Sequence, residues 1–166
     1  MVDEIHKWFE YIQQPRTELG KQSICPFART ATATKEYTIE ACALDSIHVQ
    51  VASANIIDNK VCIFYLPNYL DYTIEALEQK TKYLNEQYLA LNKVVLDSDP
   101  RTPFSLNGVV TTFPDCYIWI VQPLDDLNLK ADKLMKSTTY YDYWTKEQLD
   151  EVVTWRYNYN RNETGE

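Results

Sequence analysis

The residue with the most distinctive chemical setting in this chain is Cys25, which Pro26 follows directly. Because proline is favoured at the first position of a helix, the sequence predicts that Cys25 is the N-cap of a short helix running into Arg29. The helix dipole and a nearby guanidinium both favour a thiolate, so we expect the pKa of this thiol to be lowered. Such a cysteine could act as a nucleophile, a monothiol redox centre or a metal ligand. The alternative is that Cys25 packs with Phe27 beneath the N-terminal helix.

Two carboxylates, Asp97 and Asp99, follow the short apolar run 93–96, which is typical of a strand. Open α/β sheets bind their ligands at the carboxyl ends of parallel strands, and this pair could hold a divalent cation or share a proton there. The alternative is an Asx-turn that leads into Pro100. The connection 97–115 is long for a compact domain, and such connections are often functional. If Cys25 is the reactive group of an enzyme, we expect the part from Asp97 to Asn107 to form the other wall of its site.

The remaining cysteines and histidines indicate structure more than chemistry. Three cysteines lie in apolar, strand-like runs, and no Cys-x-x-Cys pair or zinc-ligand spacing occurs among them; they are Cys42, Cys62 and Cys116. His6 and His48 are lone histidines on amphipathic segments, without a partner nearby in sequence. We therefore expect no metal site and no cofactor.

The charge balance narrows the classes of partner. The 166 residues carry 16 Lys and Arg against 24 Asp and Glu, a net charge of −8. Such a chain would repel phosphate backbones and anionic membranes, and it has no basic cluster. No apolar run is long enough to span a bilayer, and the first residues do not resemble a secretion signal. We predict a cytoplasmic protein that binds neither nucleic acid nor membrane.

Hydrophobic periodicity predicts one α/β domain over residues 1–157, followed by a flexible tail at 158–166. The first helix carries an apolar stripe and ends before Pro15, and the apolar pattern along 70–91 is typical of a long amphipathic helix. The segment 45–57 fits a strand or a helix, and we favour a helix. The other predicted elements are strands 37–44, 61–66, 93–96 and 116–121, a helix at 125–136, and a last helix opened by the capping box Thr145–Gln148.

The order of these elements resembles the thioredoxin fold with an N-terminal extension. The segment Thr112-Phe113-Pro114 directly before a strand is similar to that family's cis-proline segment, which implies a cis peptide bond at Pro114. The position of the family's dithiol is occupied here by residues 67–71, which contain no cysteine, so the disulfide chemistry does not carry over. The resemblance implies a mixed sheet with an N-terminal helix and a C-terminal helical extension. A ferredoxin-like α+β sandwich is the alternative fold.

A second resemblance rests on two short segments. Leu19-Gly20 followed by Ile24–Arg29 and Ala31 resembles the "LG…CPFA…A" opening of small bacterial and phage proteins of unknown function. The same proteins share a Tyr-Tyr-Asp-x-Trp segment like Tyr140–Trp144. Aromatic residues concentrated in this way suit a buried anchor first and a protein contact second. The resemblance implies relatives but supplies no mechanism.

These observations favour a non-catalytic, thioredoxin-like binding or accessory module for a protein partner. The candidate binding residues are Asp97, Asp99, Asn107, Pro114, Tyr141 and Trp144. The alternative is a thiol-dependent enzyme or monothiol redox protein in which Cys25 is the reactive group and Arg29 lowers its pKa or orients an anionic substrate. The sequence alone leaves open whether the protein is an enzyme.

Overall fold

The computed structural model describes residues 1–57 and 60–157, so the predicted flexible tail at 158–166 lies outside the described residues. In chain order, the helices and strands are α1 (Val2–Gln13), β1 (Pro15–Arg16), β2 (Gln22–Ser23), α2 (Pro26–Thr34), β3 (Tyr37–Ala41), α3 (Ile47–Ser53), β4 (Val61–Leu66), α4 (Ile74–Tyr88), β5 (Lys93–Ser98), β6 (Ser105–Leu106), β7 (Val109–Val110), β8 (Tyr117–Pro123), α5 (Leu124–Ser137) and α6 (Lys146–Leu149). Short 3₁₀ turns occupy Tyr69–Asp71, Leu89–Leu91 and Tyr140–Tyr143, and a π-helical turn at Asp150–Thr154 continues α6.

The central sheet has four strands in the order β3-β4-β8-β5, which confirms the predicted mixed α/β class. β3 and β4 are parallel, and β8 is antiparallel to both of its neighbours. β4 and β5 therefore run in the same direction, as expected for a strand-helix-strand unit, but β8 lies between them. The side chains of β8 are buried from Tyr117 to Trp119 on both faces, which suits a central strand. β5 is at the edge and tolerates Asp97 near its end.

The strand register assigns the side chains to two apolar layers. Ile63, Ile118 and Ile120 share the face that packs against α1 and α2. Phe64 and Trp119 share the opposite face, which packs against α3 and α4. Helices cover both faces, and the strands consequently read as continuous apolar runs instead of alternating ones.

The helices follow the predicted pattern with one change at α4. Residues 47–53 form the helix that we favoured, because Ile47 and Val51 are both fully buried on one side. α4 begins at Ile74, since the Thr73 side chain caps it by accepting from the Ala76 amide at 3.1 Å. Leu70 and Leu91, which we expected in the apolar stripe, lie before this cap and after the last residue of α4, and they are 71% and 64% exposed.

The long connection between β5 and β8 contains the small hairpin β6-β7. Its turn is Asn107-Gly108, and both residues have positive φ, at 46° and 81°. The implied cis peptide at Pro114 is absent: no peptide bond in residues 1–57 and 60–157 is cis. Within those same residues, no helix combines the length and apolar character needed to cross a membrane.

Candidate ligand cavity

A cavity of about 740 Å³ curls around the edge strand β5. Leu96 and Asp97 are consecutive residues of this strand, so their side chains point to opposite faces of the sheet, and both line the cavity. The rest of the wall comes from α1, α2, α4, β4 and β8, from the connection after β5, and from the segments that carry Tyr141, Trp144 and Trp155. Small-molecule sites usually have volumes of roughly 300–1,000 Å³ and mainly apolar walls, so this cavity has the size and character of such a site.

Five of the eight residues chosen from the sequence meet at this cavity. They are Cys25, Asp97, Asp99, Tyr141 and Trp144. The other three lie elsewhere: Arg29 and Pro114 are exposed, and the Asn107 side-chain amide donates to the Glu18 carbonyl at 2.7 Å, which joins the hairpin turn to the segment after β1. The connection 97–115 does form a wall, through Asp99, Thr102, Phe104, Thr111 and Thr112.

Cys25 caps α2 as predicted, with Pro26 as the first helical residue. The predicted lowering of its pKa is wrong, because burial raises the pKa of the thiol. The first-turn amides of Ala28 and Phe27 and the charge of Lys130 act in the opposite direction but are smaller effects. Arg29 points into solvent and does not contribute to the shift.

The two aspartates do not form a cation site, since each is bound by another side chain. The Asp99 carboxylate pairs with the Arg101 guanidinium at 2.6 Å, and it also accepts from the Arg101 amide at 2.9 Å, which is the Asx-turn alternative. Arg101 in turn donates to the Tyr72 carbonyl at 2.7 Å. Asp97 accepts a hydrogen bond from the Tyr117 hydroxyl at 2.5 Å. Within residues 1–57 and 60–157, no group of three or more His, Cys, Asp or Glu side chains could hold a metal ion.

Asp97 also differs from its predicted position, because β5 extends through Ser98 and Asp97 lies inside the strand. Its carboxylate has accessible surface, since it lines the cavity, but the surrounding protein still raises its pKa. Burial is the main cause, and the negative charges of Glu78 and Asp99 add to it. The Tyr117 hydroxyl opposes this rise in pKa by donating to the carboxylate.

Behind Asp97, a chain of hydrogen bonds runs through the layer between the sheet and α4. The Trp119 indole donates to the Thr81 hydroxyl at 2.9 Å, and this hydroxyl contacts the Tyr117 hydroxyl at 3.0 Å. The Thr81 hydroxyl also lies 3.2 Å from the Leu77 carbonyl, to which it can donate, while the Tyr117 hydroxyl donates to Asp97. Nearby, the Asn85 side chain donates from Nδ2 to the Val95 carbonyl at 2.8 Å and accepts at Oδ1 from the Val95 backbone amide at 2.9 Å. These two bonds take the place of a neighbouring strand at the edge of the sheet.

The two motif segments, residues 19–31 and 140–144, lie against each other. Tyr140 is buried, and its hydroxyl donates to the Ile24 carbonyl at 2.5 Å. A Cβ atom at Gly20 would collide with the Tyr143 hydroxyl, and Gly20 also has a φ of +61°. Tyr141 and Trp144 line the cavity together with Cys25. The aromatic segment thus packs against the first motif and supplies part of the cavity wall.

The sequence reasoning missed Arg156 as a site residue. Arg156 lines the cavity at only 2% exposure, and its Nε atom donates to the Val153 carbonyl at a long 3.5 Å. Burial lowers its pKa, but a guanidinium stays charged at neutral pH. A signal was present: Leu149, Val152, Val153 and Arg156 follow an i, i+3, i+4, i+7 pattern, which places Arg156 on the buried side of its helix.

Comparison with known proteins finds no matching family model, no matching curated protein and no matching solved structure.

Proposed function

We propose that this protein is a non-catalytic binding module whose ligand occupies the cavity around β5. The observation that carries the proposal is the cavity itself: a space of about 740 Å³ with a mostly apolar and aromatic wall that includes a few polar groups. Cys25, Tyr141, Trp144 and Arg156 are among the residues that line it.

The thiol-dependent enzyme is the weaker alternative. A nucleophilic cysteine needs a thiolate at neutral pH, and burial raises the pKa of Cys25 instead of lowering it. Neither His6 nor His48 lines the cavity, so no histidine of residues 1–57 and 60–157 is placed there to accept the proton of Cys25. The chemistry of this wall therefore supports binding better than covalent catalysis.

The partner, the cellular compartment and the relatives of the protein also remain proposals. We propose that the module serves a protein partner in the cytoplasm and that its relatives share the two motif segments. The contact between Gly20 and Tyr143 supports a common role for those segments, since each one shapes the other.

Phenylnaphthylamine, an uncharged probe whose fluorescence rises in apolar sites, tests the binding function. We expect saturable binding to the folded protein. Val152 lines the cavity, so Val152→Trp should fill the space and abolish binding. The matched control is Thr154→Trp, which places the same ring on an exposed position of the same helical segment and should leave binding unchanged. Absence of saturable binding to the wild type, or full binding by a folded Val152→Trp variant, would contradict the proposal.

A further inference from the structure

We propose that the ligand of this cavity is an organic anion with one negative charge, bound by the Arg156 guanidinium, and with an apolar body that lies along the aromatic wall. This inference rests on the proposed binding function and adds the chemical class of the ligand. It rests on the Arg156 side chain, which lines the cavity, carries a full positive charge and is almost completely buried.

Arg156 lacks a counter-charge among residues 1–57 and 60–157. The ion pairs of those residues do not include it, and its long bond to the Val153 carbonyl involves only Nε. Two acidic side chains on the surrounding segments do not pair with Arg156. The Asp132 carboxylate accepts a hydrogen bond from the Tyr157 hydroxyl at 2.8 Å, and Glu151 is exposed. A buried charge without a partner is strongly unfavourable, so a ligand that supplies the partner would bind there with a matching gain.

Arg101 shows how the same fold treats an arginine that has a structural role. Its guanidinium forms a short ion pair with Asp99, donates to the Tyr72 carbonyl and lies over the Tyr69 ring. Each nitrogen atom of the Arg101 guanidinium therefore donates to an acceptor within the chain. Arg156 is more deeply buried and has far fewer partners among residues 1–57 and 60–157, which leaves its guanidinium open to a counter-charge from a bound ligand.

The shape of the wall and the charge of the protein define the rest of the ligand. Tyr141, Trp144 and Trp155 line the same cavity as Arg156 and favour an apolar or aromatic body. The wall formed by β5 and α4 carries Asp97, Glu78 and Lys82, so the acidic groups there outnumber the one lysine and the buried Arg156 guanidinium is the better site for an anion. A net charge of −8 also disfavours a ligand with several negative charges.

A matched pair of fluorescent probes tests this inference. Anilinonaphthalene sulfonate and phenylnaphthylamine share the same rings, and only the first carries a negative charge. We expect the wild type to prefer the sulfonate by about tenfold in Kd, the size of a charge-assisted hydrogen bond to a buried group. Arg156→Met should remove this preference, Arg156→Lys should keep part of it, and the control Arg29→Met should keep all of it, because Arg29 is exposed and outside the cavity.

The outcomes separate the two proposals. If phenylnaphthylamine binds but the sulfonate binds no more tightly, the binding function stands and the anion inference is overturned. The same conclusion follows if Arg156→Met retains the wild-type preference. If neither probe binds the folded wild type, both proposals are overturned. The wild-type comparison needs no variant, so poor folding of Arg156→Met cannot hide the answer.

Discussion

The two faces of the edge strand β5 differ in how completely their polar groups are paired within the described residues. On the α4 side, the Trp119 indole, the Thr81 hydroxyl, the Tyr117 hydroxyl and the Asp97 carboxylate form one continuous chain of hydrogen bonds. On the opposite side, the Arg156 guanidinium forms no ion pair within residues 1–57 and 60–157. The Asn128 side-chain amide is buried and has no hydrogen-bond partner among the same residues.

This difference distinguishes groups that hold the fold together from groups that are available to a ligand. A fully paired network contributes to stability and specifies one arrangement of the core. An unpaired buried charge lowers stability, and the chain would be more stable with an apolar side chain at that position. Substitutions on the two sides should consequently have opposite effects on stability.

The largest expected effect is at the centre of the paired network. Thr81→Val keeps the shape of the side chain but removes the acceptor of the Trp119 indole and a hydrogen-bond partner of the Tyr117 hydroxyl. Because buried unsatisfied groups cost about 1–3 kcal/mol each, we expect the free energy of unfolding to fall by about 3 kcal/mol. Urea unfolding followed by fluorescence measures this change. The control Thr17→Val, on an exposed residue, should change it by less than about 0.5 kcal/mol.

The next effect compares two glycines that share a left-handed backbone. Gly20→Ala should lower the free energy of unfolding by about 2 kcal/mol, through backbone strain and displacement of Tyr143. Gly108→Ala meets nothing within 4 Å, so only the strain of about 1 kcal/mol remains. Tyr143→Phe, which removes the hydroxyl, should restore part of the Gly20→Ala loss. Equal losses at the two glycines would show that the contact between the motif segments is unimportant.

Cys25 gives a smaller, kinetic test of the cavity side. Since burial raises the pKa of its thiol, the thiolate fraction at a given pH is lower in the folded protein than in the unfolded chain. Iodoacetamide should therefore alkylate Cys25 more slowly in the native protein than in urea at each pH from about 7 to 9, with a native midpoint above that of a free cysteine. Mass spectrometry reads the modification at each cysteine. A native midpoint below that of the unfolded chain would revive the thiol-dependent enzyme.

Much of the fold could be predicted from local patterns. The apolar runs at 61–66 and 116–121 predicted buried strands, and Cys25-Pro26 predicted the start of α2. The position of β8 between β4 and β5 could not be predicted, because sequence order does not determine which strands become neighbours. The crossover through α4 would also allow β4 and β5 to pair directly as parallel strands, but β8 has the more apolar surface for the centre of the sheet.

The site was predicted in part and for mixed reasons. Cys25, Tyr141 and Trp144 were chosen for their unusual chemistry or composition, and the tertiary fold brings them to one wall. The pKa of Cys25 was predicted in the wrong direction, because helix-dipole arguments use neighbours in sequence while burial depends on the whole fold. Arg156 was overlooked as a site residue for the same reason, although its helical spacing indicated a buried position.

The free energy of unfolding of Arg156→Met tests the central claim most directly. Our account predicts a value within about 1 kcal/mol of the wild type or above it, because the substitution removes an unpaired buried charge and keeps an apolar side chain of similar length. The small size of this change would contrast with the large loss in Thr81→Val. A loss of about 3–5 kcal/mol, the usual result of breaking a buried ion pair, would contradict the account by showing that the chain itself supplies the partner of Arg156.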